Sequence, residues 1–203
     1  PVLSFAAAPL AVLLGHRWGN RGLVVAAPAI AAIAAGFLLF WVMLAGYTGA
    51  TPETQGCSIE QATGTLVCDY QRTWFEAGLP RLDESVTLRW GTLIDPLSIV
   101  MVGLVTFVAL MVQIYSLGYM RGESRLGWYF GVHAFFAGSM LVLVLADTFL
   151  LLYAAWDLVG ICSYLLIGFW HQRPAAREAA KKAFIVTRIG DVGMLLGILL
   201  LWR

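Results

Sequence analysis

The chain has 203 residues, 60% of them hydrophobic and only 12% charged, with a formal net charge of +1. Soluble domains carry about 25% charged residues, and the mean hydropathy here is +0.80. This excludes an ordinary soluble enzyme and predicts an all-α integral membrane protein whose first partner is the lipid bilayer. The net charge identifies no partner by itself, and no nucleic acid is expected.

Six apolar runs are read as membrane-spanning helices, at residues 1–14, 23–47, 93–119, 126–146, 148–170 and 183–202. A span needs roughly 20 mostly apolar residues, and helices are required because lipid offers no partner for backbone N–H and C=O groups. The first run is short, and both chain ends look cut within or near a helix. The expectation is an N-terminal fragment of a longer protein. Pro9, Pro28 and Pro96 are expected near helix ends or in first turns, where a missing N–H is tolerable.

Between the second and third runs lies the one sizeable polar segment, residues 48–91. It is acidic (Glu53, Glu60, Asp69, Glu76, Asp83, Glu84), and its alternation over 64–70 and 85–90 reads as short strands. It also holds Cys57 and Cys68. An oxidising compartment would permit a disulfide between them; two free thiols are the alternative. Residues 1–47 thus carry spans one and two, 48–91 an extracytoplasmic loop, and 92–203 spans three to six.

His133 lies in span four, as a packing residue or a member of a proton relay. Asp147 with Thr148 reads as the N-cap of span five. Trp128, Tyr129, Trp170 and Trp202 fit interfacial aromatic belts. Asp157 falls about midway along span five. A carboxylate there costs about 2.5–3.5 kcal/mol on insertion scales and is kept by default for function; a buried, protonated Asp bonded to a neighbouring helix is the bland alternative. Cys162 reads as a small packing residue. The segment 171–182 reads as a basic loop, with Lys181 and Lys182 snorkelling to the interface. In span six Arg188 and Asp191 are three residues apart and share a face, as a structural pair or as part of a relay. At about 1.5 Å per residue, Asp157 and Asp191 both come out near mid-membrane.

Of the thirteen Lys and Arg residues, Arg17, Arg21, Arg121, Arg125, Arg173, Arg177, Lys181 and Lys182 fall in the alternate loops one-two, three-four and five-six. By the positive-inside rule those loops are cytoplasmic. The N-terminus and residues 48–91 are then extracytoplasmic. No CxxC, HExxH or Gly-rich phosphate loop occurs, and no metal or cofactor is expected in this chain.

The run Trp156-Asp157-Leu-Val-Gly160-Ile-Cys-Ser163-Tyr-Leu-Leu-Ile-Gly168-Phe-Trp170 resembles the signature of the large antiporter-like subunit of respiratory complex I, chain L in bacteria and chain five in mitochondria. Lys182-Ala-Phe-Ile-Val-Thr-Arg188-Ile-Gly-Asp191, Leu93-Ile-Asp95-Pro-Leu-Ser98, Ile114-Tyr-Ser-Leu-Gly-Tyr-Met120 and Arg72-Thr-Trp-Phe-Glu76 extend the likeness in order. The resemblance implies an antiporter-like bundle with inverted repeats, which place the working site at mid-membrane. It implies a proton-translocating subunit of NADH–quinone oxidoreductase in an inner (plasma) membrane, partnered by other membrane-arm subunits. NADH, flavin, iron–sulfur clusters and quinone would belong to other subunits. Asp157 would hold the position of an essential glutamate, with Arg188 and Asp191 at functional positions in the next helix and Asp157 coupled to a cation beyond this segment. The chain departs from the family in having Asp for Glu at 157 and Gln113 where many relatives have His. The large subunit of a multisubunit sodium/proton antiporter is the alternative reading; a purely structural membrane anchor is a third, against which the mid-membrane charges argue.

Overall fold

In the computed structural model, residues 1–18, 22–51, 56–60, 65–78, 85–123 and 125–201 are described, with the side chains of 17, 18, 22 and 72–90 left aside. Trp202, Glu53, Asp83 and Glu84, singled out above, lie outside the described residues. The elements run α1 (Val2–Trp18), α2 (Gly22–Thr48), β1 (Cys57–Ile59), β2 (Leu66–Gly78), β3 (Ser85–Ile94), α3 (Pro96–Tyr119), α4 (Leu126–Val144), α5 (Phe149–Ile167) and α6 (Pro174–Leu201). Five of the helices, α2 to α6, are long and apolar enough to cross a membrane; α1 is apolar but shorter.

The helix boundaries correct the sequence reading in three places. First, α6 starts at Pro174 rather than near 183, so most of the expected basic loop is helix. Pro at the first position has its φ already set for a helix. The following Ala, Arg, Glu and Lys residues are strong helix formers, and Glu178 accepts from Lys181 one turn on at 3.1 Å. Second, α5 ends at Ile167, with Gly168 as its C-cap and the Gly168 N–H donating to the Tyr164 carbonyl. Third, Pro9 lies inside α1 and Pro28 well inside α2; helices in lipid tolerate this because neighbouring groups re-satisfy the freed carbonyl.

The polar segment forms a three-stranded antiparallel sheet of order β1-β2-β3, with strands longer than the alternation indicated. Cys57 and Cys68 face each other across β1 and β2, and their sulfurs are bonded. Three ties seat the sheet on one end of the bundle. The Tyr47 hydroxyl, at the end of α2, donates to the Leu66 carbonyl at 2.6 Å. β3 leads straight into the Asp95 cap of α3, where Asp95 and Ser98 exchange hydrogen bonds as a capping box and Pro96 occupies the first turn. At the α4–α5 connection, Leu93 N–H donates to the Leu145 carbonyl and Gly91 N–H to Asp147 Oδ1, both at 3.1 Å. A side chain at Gly91 would collide with the Asp147 carboxylate. Asp147 is therefore a clamp on the sheet, and Thr148 alone caps α5 by accepting from Leu151 N–H at 3.3 Å.

At the other end the α3–α4 and α5–α6 connections meet. Arg125 contacts His171 at 2.7 Å, and Trp170 Nε1 donates to Glu123 at 3.2 Å. Tyr129, in the first turn of α4, has its hydroxyl 2.8 Å from that of Ser116 on α3. The centre of the bundle is α4, whose Gly127 and Gly131 face α1. Added Cβ atoms there would approach the Ala11 and Ala8 carbonyl oxygens to 2.7 and 2.8 Å, the close approach that small residues spaced by four allow.

Candidate functional site: a charged trio between α5 and α6

α5 and α6 run antiparallel in a register set by small and aromatic residues. A Cβ at Gly168 would touch Ala180 Cβ at 3.4 Å. One turn on, Tyr164 and Phe184 rings pack at 5.2 Å, and then Gly160 faces Thr187. One turn further the stripe turns ionic. Arg188 Nη1 donates to Asp157 Oδ1 and lies 3.7 Å from Asp191 Oδ2. The guanidinium carbon also stands 4.8 Å over the Phe184 ring, a cation–π contact that favours keeping the charge there.

Asp157 is the ninth residue of the nineteen in α5, so it lies roughly 12 Å from the helix start in a helix roughly 28 Å long. Arg188 sits at the middle of α6. The longer α6 changes the residue count from its own start but not the height of the site, because Arg188 is set directly against Asp157. Asp191 is almost completely buried, with 4% of its surface exposed, while the Asp157 and Arg188 side chains are part-buried.

The sequence expectation paired Arg188 with Asp191 and looked outside this segment for the partner of Asp157. The structure gives Arg188 to both carboxylates, with Asp157 the tighter contact. Two carboxylates and one guanidinium leave one negative charge in excess when all are ionised. One added proton would make the cluster neutral. Arg188 Nε is buried without a partner among the described residues, so the guanidinium keeps a spare donor.

His133 is not part of this trio. Its ring packs against Tyr129 and Phe136 on its own helix, α4. Tyr129 also meets Phe169, at 5.8 Å. From that contact Asp157 is twelve residues along and His133 four, a height difference of roughly 12 Å. No single proton jump spans that gap. Cys162 is fully buried against the bundle, as a packing residue should be. Among the described residues, no group of three or more His, Cys, Asp or Glu is placed to hold a metal ion.

Outward from the trio, α6 presents Ile185, Val186, Ile189 and Val192 with most of their surface uncovered. A face this apolar is one that lipid or further helices cover.

Residues 82–130 match the family model for the N-terminus of NADH-ubiquinone oxidoreductase (complex I) chain 5, and residues 146–203 match that for the transmembrane region of NADH:quinone oxidoreductase and Mrp antiporters. The chain is 39% identical over 201 residues to F(420)H(2) dehydrogenase subunit L of Methanosarcina mazei, covering 99% of this chain and 26% of that protein. It is 45% identical over 150 residues to the chloroplastic NAD(P)H-quinone oxidoreductase subunit 5 of Anthoceros angustus, covering 74% of this chain and 20% of that one. A chain of the Mrp complex from Dietzia sp. DQ12-45-1b superposes with a TM-score of 0.65 at 26% identity, over 96% of this chain and 18% of the other. The chain thus spans about a fifth to a quarter of the length of these relatives. With these matches running through both the α3 region and the α5–α6 pair that holds the trio, the chain belongs to the family of multi-pass antiporter-like membrane subunits represented by chain 5 (chain L) of the quinone oxidoreductases.

Proposed function

We propose that this chain is part of the proton-translocating membrane subunit of an NADH–quinone oxidoreductase, and that Asp157, Arg188 and Asp191 form its proton-carrying site. The observation that carries the reading is one guanidinium held between two carboxylates at mid-helix, an arrangement one proton short of neutrality. Charges at such depth are expensive unless they work. His133 is a second proton-carrying group, reached through water or groups other than the trio. NADH, flavin, iron–sulfur and quinone chemistry belongs to partner subunits of the complex, and other membrane-arm subunits pack beside this one.

The multisubunit sodium/proton antiporter is the second reading, favoured by the superposition on the Mrp complex chain. The higher identity to the dehydrogenase subunit over nearly the whole chain supports the first. Sealed vesicles carrying the assembled complex separate the two. Internal acidification driven by NADH and quinone supports the first reading. Sodium-driven proton exchange without an electron donor supports the second and overturns the first.

The membrane is an inner (plasma) membrane, with the N-terminus and residues 48–91 extracytoplasmic. The alternating basic loops support this orientation, as does a bonded Cys57–Cys68 pair, which needs an oxidising side. Single cysteines placed at Thr51 and at Gln172 test it. An impermeant reagent added from outside should label the first and miss the second; the reverse pattern overturns the orientation.

A further inference from the structure

Gln113 has no exposed surface, and both polar atoms of its side chain lack a hydrogen-bond partner. His133 is 8% exposed, and its Nδ1 is likewise buried without a partner. A buried polar group left unpaired in a bundle interior is costly, and a native structure normally supplies it with a partner.

The α3–α4 register brings these two groups to the same height. These helices are antiparallel neighbours joined by a short connection. Near that connection the Ser116 and Tyr129 hydroxyls are 2.8 Å apart. Further along, Ala109 and Ala137 share one small apolar cluster with Ile33 of α2. Between these two contacts, on α3, lies Gln113, three residues from Ser116 and four from Ala109. Between them on α4 lies His133, four residues from Tyr129 and four from Ala137. Residues three or four apart share a helix face. The two orphaned side chains are therefore at one height on facing stripes. The His133 ring also packs on Tyr129, centroids 6.1 Å apart, which ties it to the same polar seam.

We propose that Gln113 is a positioning residue for His133: its side-chain amide hydrogen-bonds His133 Nδ1 across the α3–α4 interface and fixes the orientation of the imidazole ring. Gln113 offers both a donor and an acceptor, so either protonation state of Nδ1 is met. With Ser116 and Tyr129 one turn away, the pair forms a polar seam between α3 and α4, separate from the Asp157–Arg188–Asp191 trio. That the seam matters for pumping rests on the reading of His133 as a proton carrier; the bond itself does not.

The test uses the whole complex with 15N-labelled histidine, taking as the His133 signal the one missing from His133→Leu. Gln113→Met keeps the length of the side chain and removes its hydrogen bonding. Its expected effect is a shift of the His133 ring-nitrogen signals and a fall in assembled complex on the order of threefold, the scale of one interhelical hydrogen bond in lipid. The double variant Gln113→Met/His133→Leu, with two apolar partners, should recover assembly. An unshifted His133 signal in assembled Gln113→Met overturns the proposal. If Gln113→Met does not assemble, the double variant decides: recovery supports the bond, and failure to recover overturns it. A shifted signal with unchanged pumping leaves the bond standing and instead removes His133 from the proton path.

Discussion

The α1–α4 and α5–α6 interfaces bring helices together by opposite means. Between α1 and α4, Gly127 and Gly131 let backbones touch, and Ala8, Ala11 and Ser4 fill the seam with small side chains. Between α5 and α6, Gly160, Gly168 and Ala180 close one end, but the seam then opens into Asp157, Arg188 and Asp191. Association in lipid gains little from apolar burial, so it relies on close packing or on interhelical polar bonds. The first interface relies on packing. The second contains two carboxylates around one guanidinium, so its stability depends on the balance of charge as well as on packing.

Removing the cation should break this contrast most strongly. Arg188→Leu strands Asp157 and Asp191, and an uncompensated carboxylate at the centre of a span costs about 2.5–3.5 kcal/mol. Assembled complex should fall sharply, while Arg188→Lys, which keeps the charge, should assemble. Quantifying assembled complex in native gels for both variants checks this; equal assembly of the two would show that the cation is not structurally required.

Gly131→Leu attacks the rigid seam. The new side chain would begin 2.8 Å from a backbone carbonyl that cannot rotate away. Overpacking of this kind costs on the order of 3 kcal/mol. Assembly should drop, and in the fraction that does assemble pumping per complex should be unchanged. Reduced pumping per assembled complex would mean that the two interfaces are coupled.

A smaller effect is expected at the sheet. Asp147→Ala removes the acceptor for Gly91 N–H, a loss of about 1 kcal/mol. Protease accessibility of residues 48–91 should rise, with pumping largely retained. Unchanged protection would show that the other two ties suffice to seat the sheet.

The sequence made the helical membrane fold legible because apolar runs of this length admit few other readings. It also marked Asp157, Arg188 and Asp191, since charges inside such runs are conspicuous. What it did not give was their mutual arrangement. Sharing a face on α6 pointed to Arg188 with Asp191, but the contact to Asp157 depends on the α5–α6 register. That register is set by Gly160, Gly168 and Ala180, whose importance shows only once the helices are packed. The start of α6 was missed because its first two turns are charged, and hydropathy reads charge as loop while helix propensity reads Ala, Glu, Lys and Arg as helix. Asp147 reads as a cap in the sequence because capping is a local pattern; its partner, Gly91, is 56 residues away. Polarity alone leaves His133 either a packing residue or a relay member, and only the packing of α4 shows it roughly 12 Å from the trio in height.

Asp157 is the residue whose replacement tests the proposed proton-carrying site most directly. The Asp157→Asn variant keeps the size of the side chain and its ability to accept from Arg188, but it cannot carry a proton. It leaves Arg188 with Asp191 as a neutral pair, so the complex should assemble. Proton pumping by the assembled variant in sealed vesicles, normalised to assembled protein, is the decisive measurement. A fall in pumping of about tenfold or more, the scale expected for loss of a general acid–base group, with Asp157→Glu retaining most activity, is the predicted result. Parental pumping in the Asn variant would contradict it and leave Asp157 as a packed polar partner of Arg188.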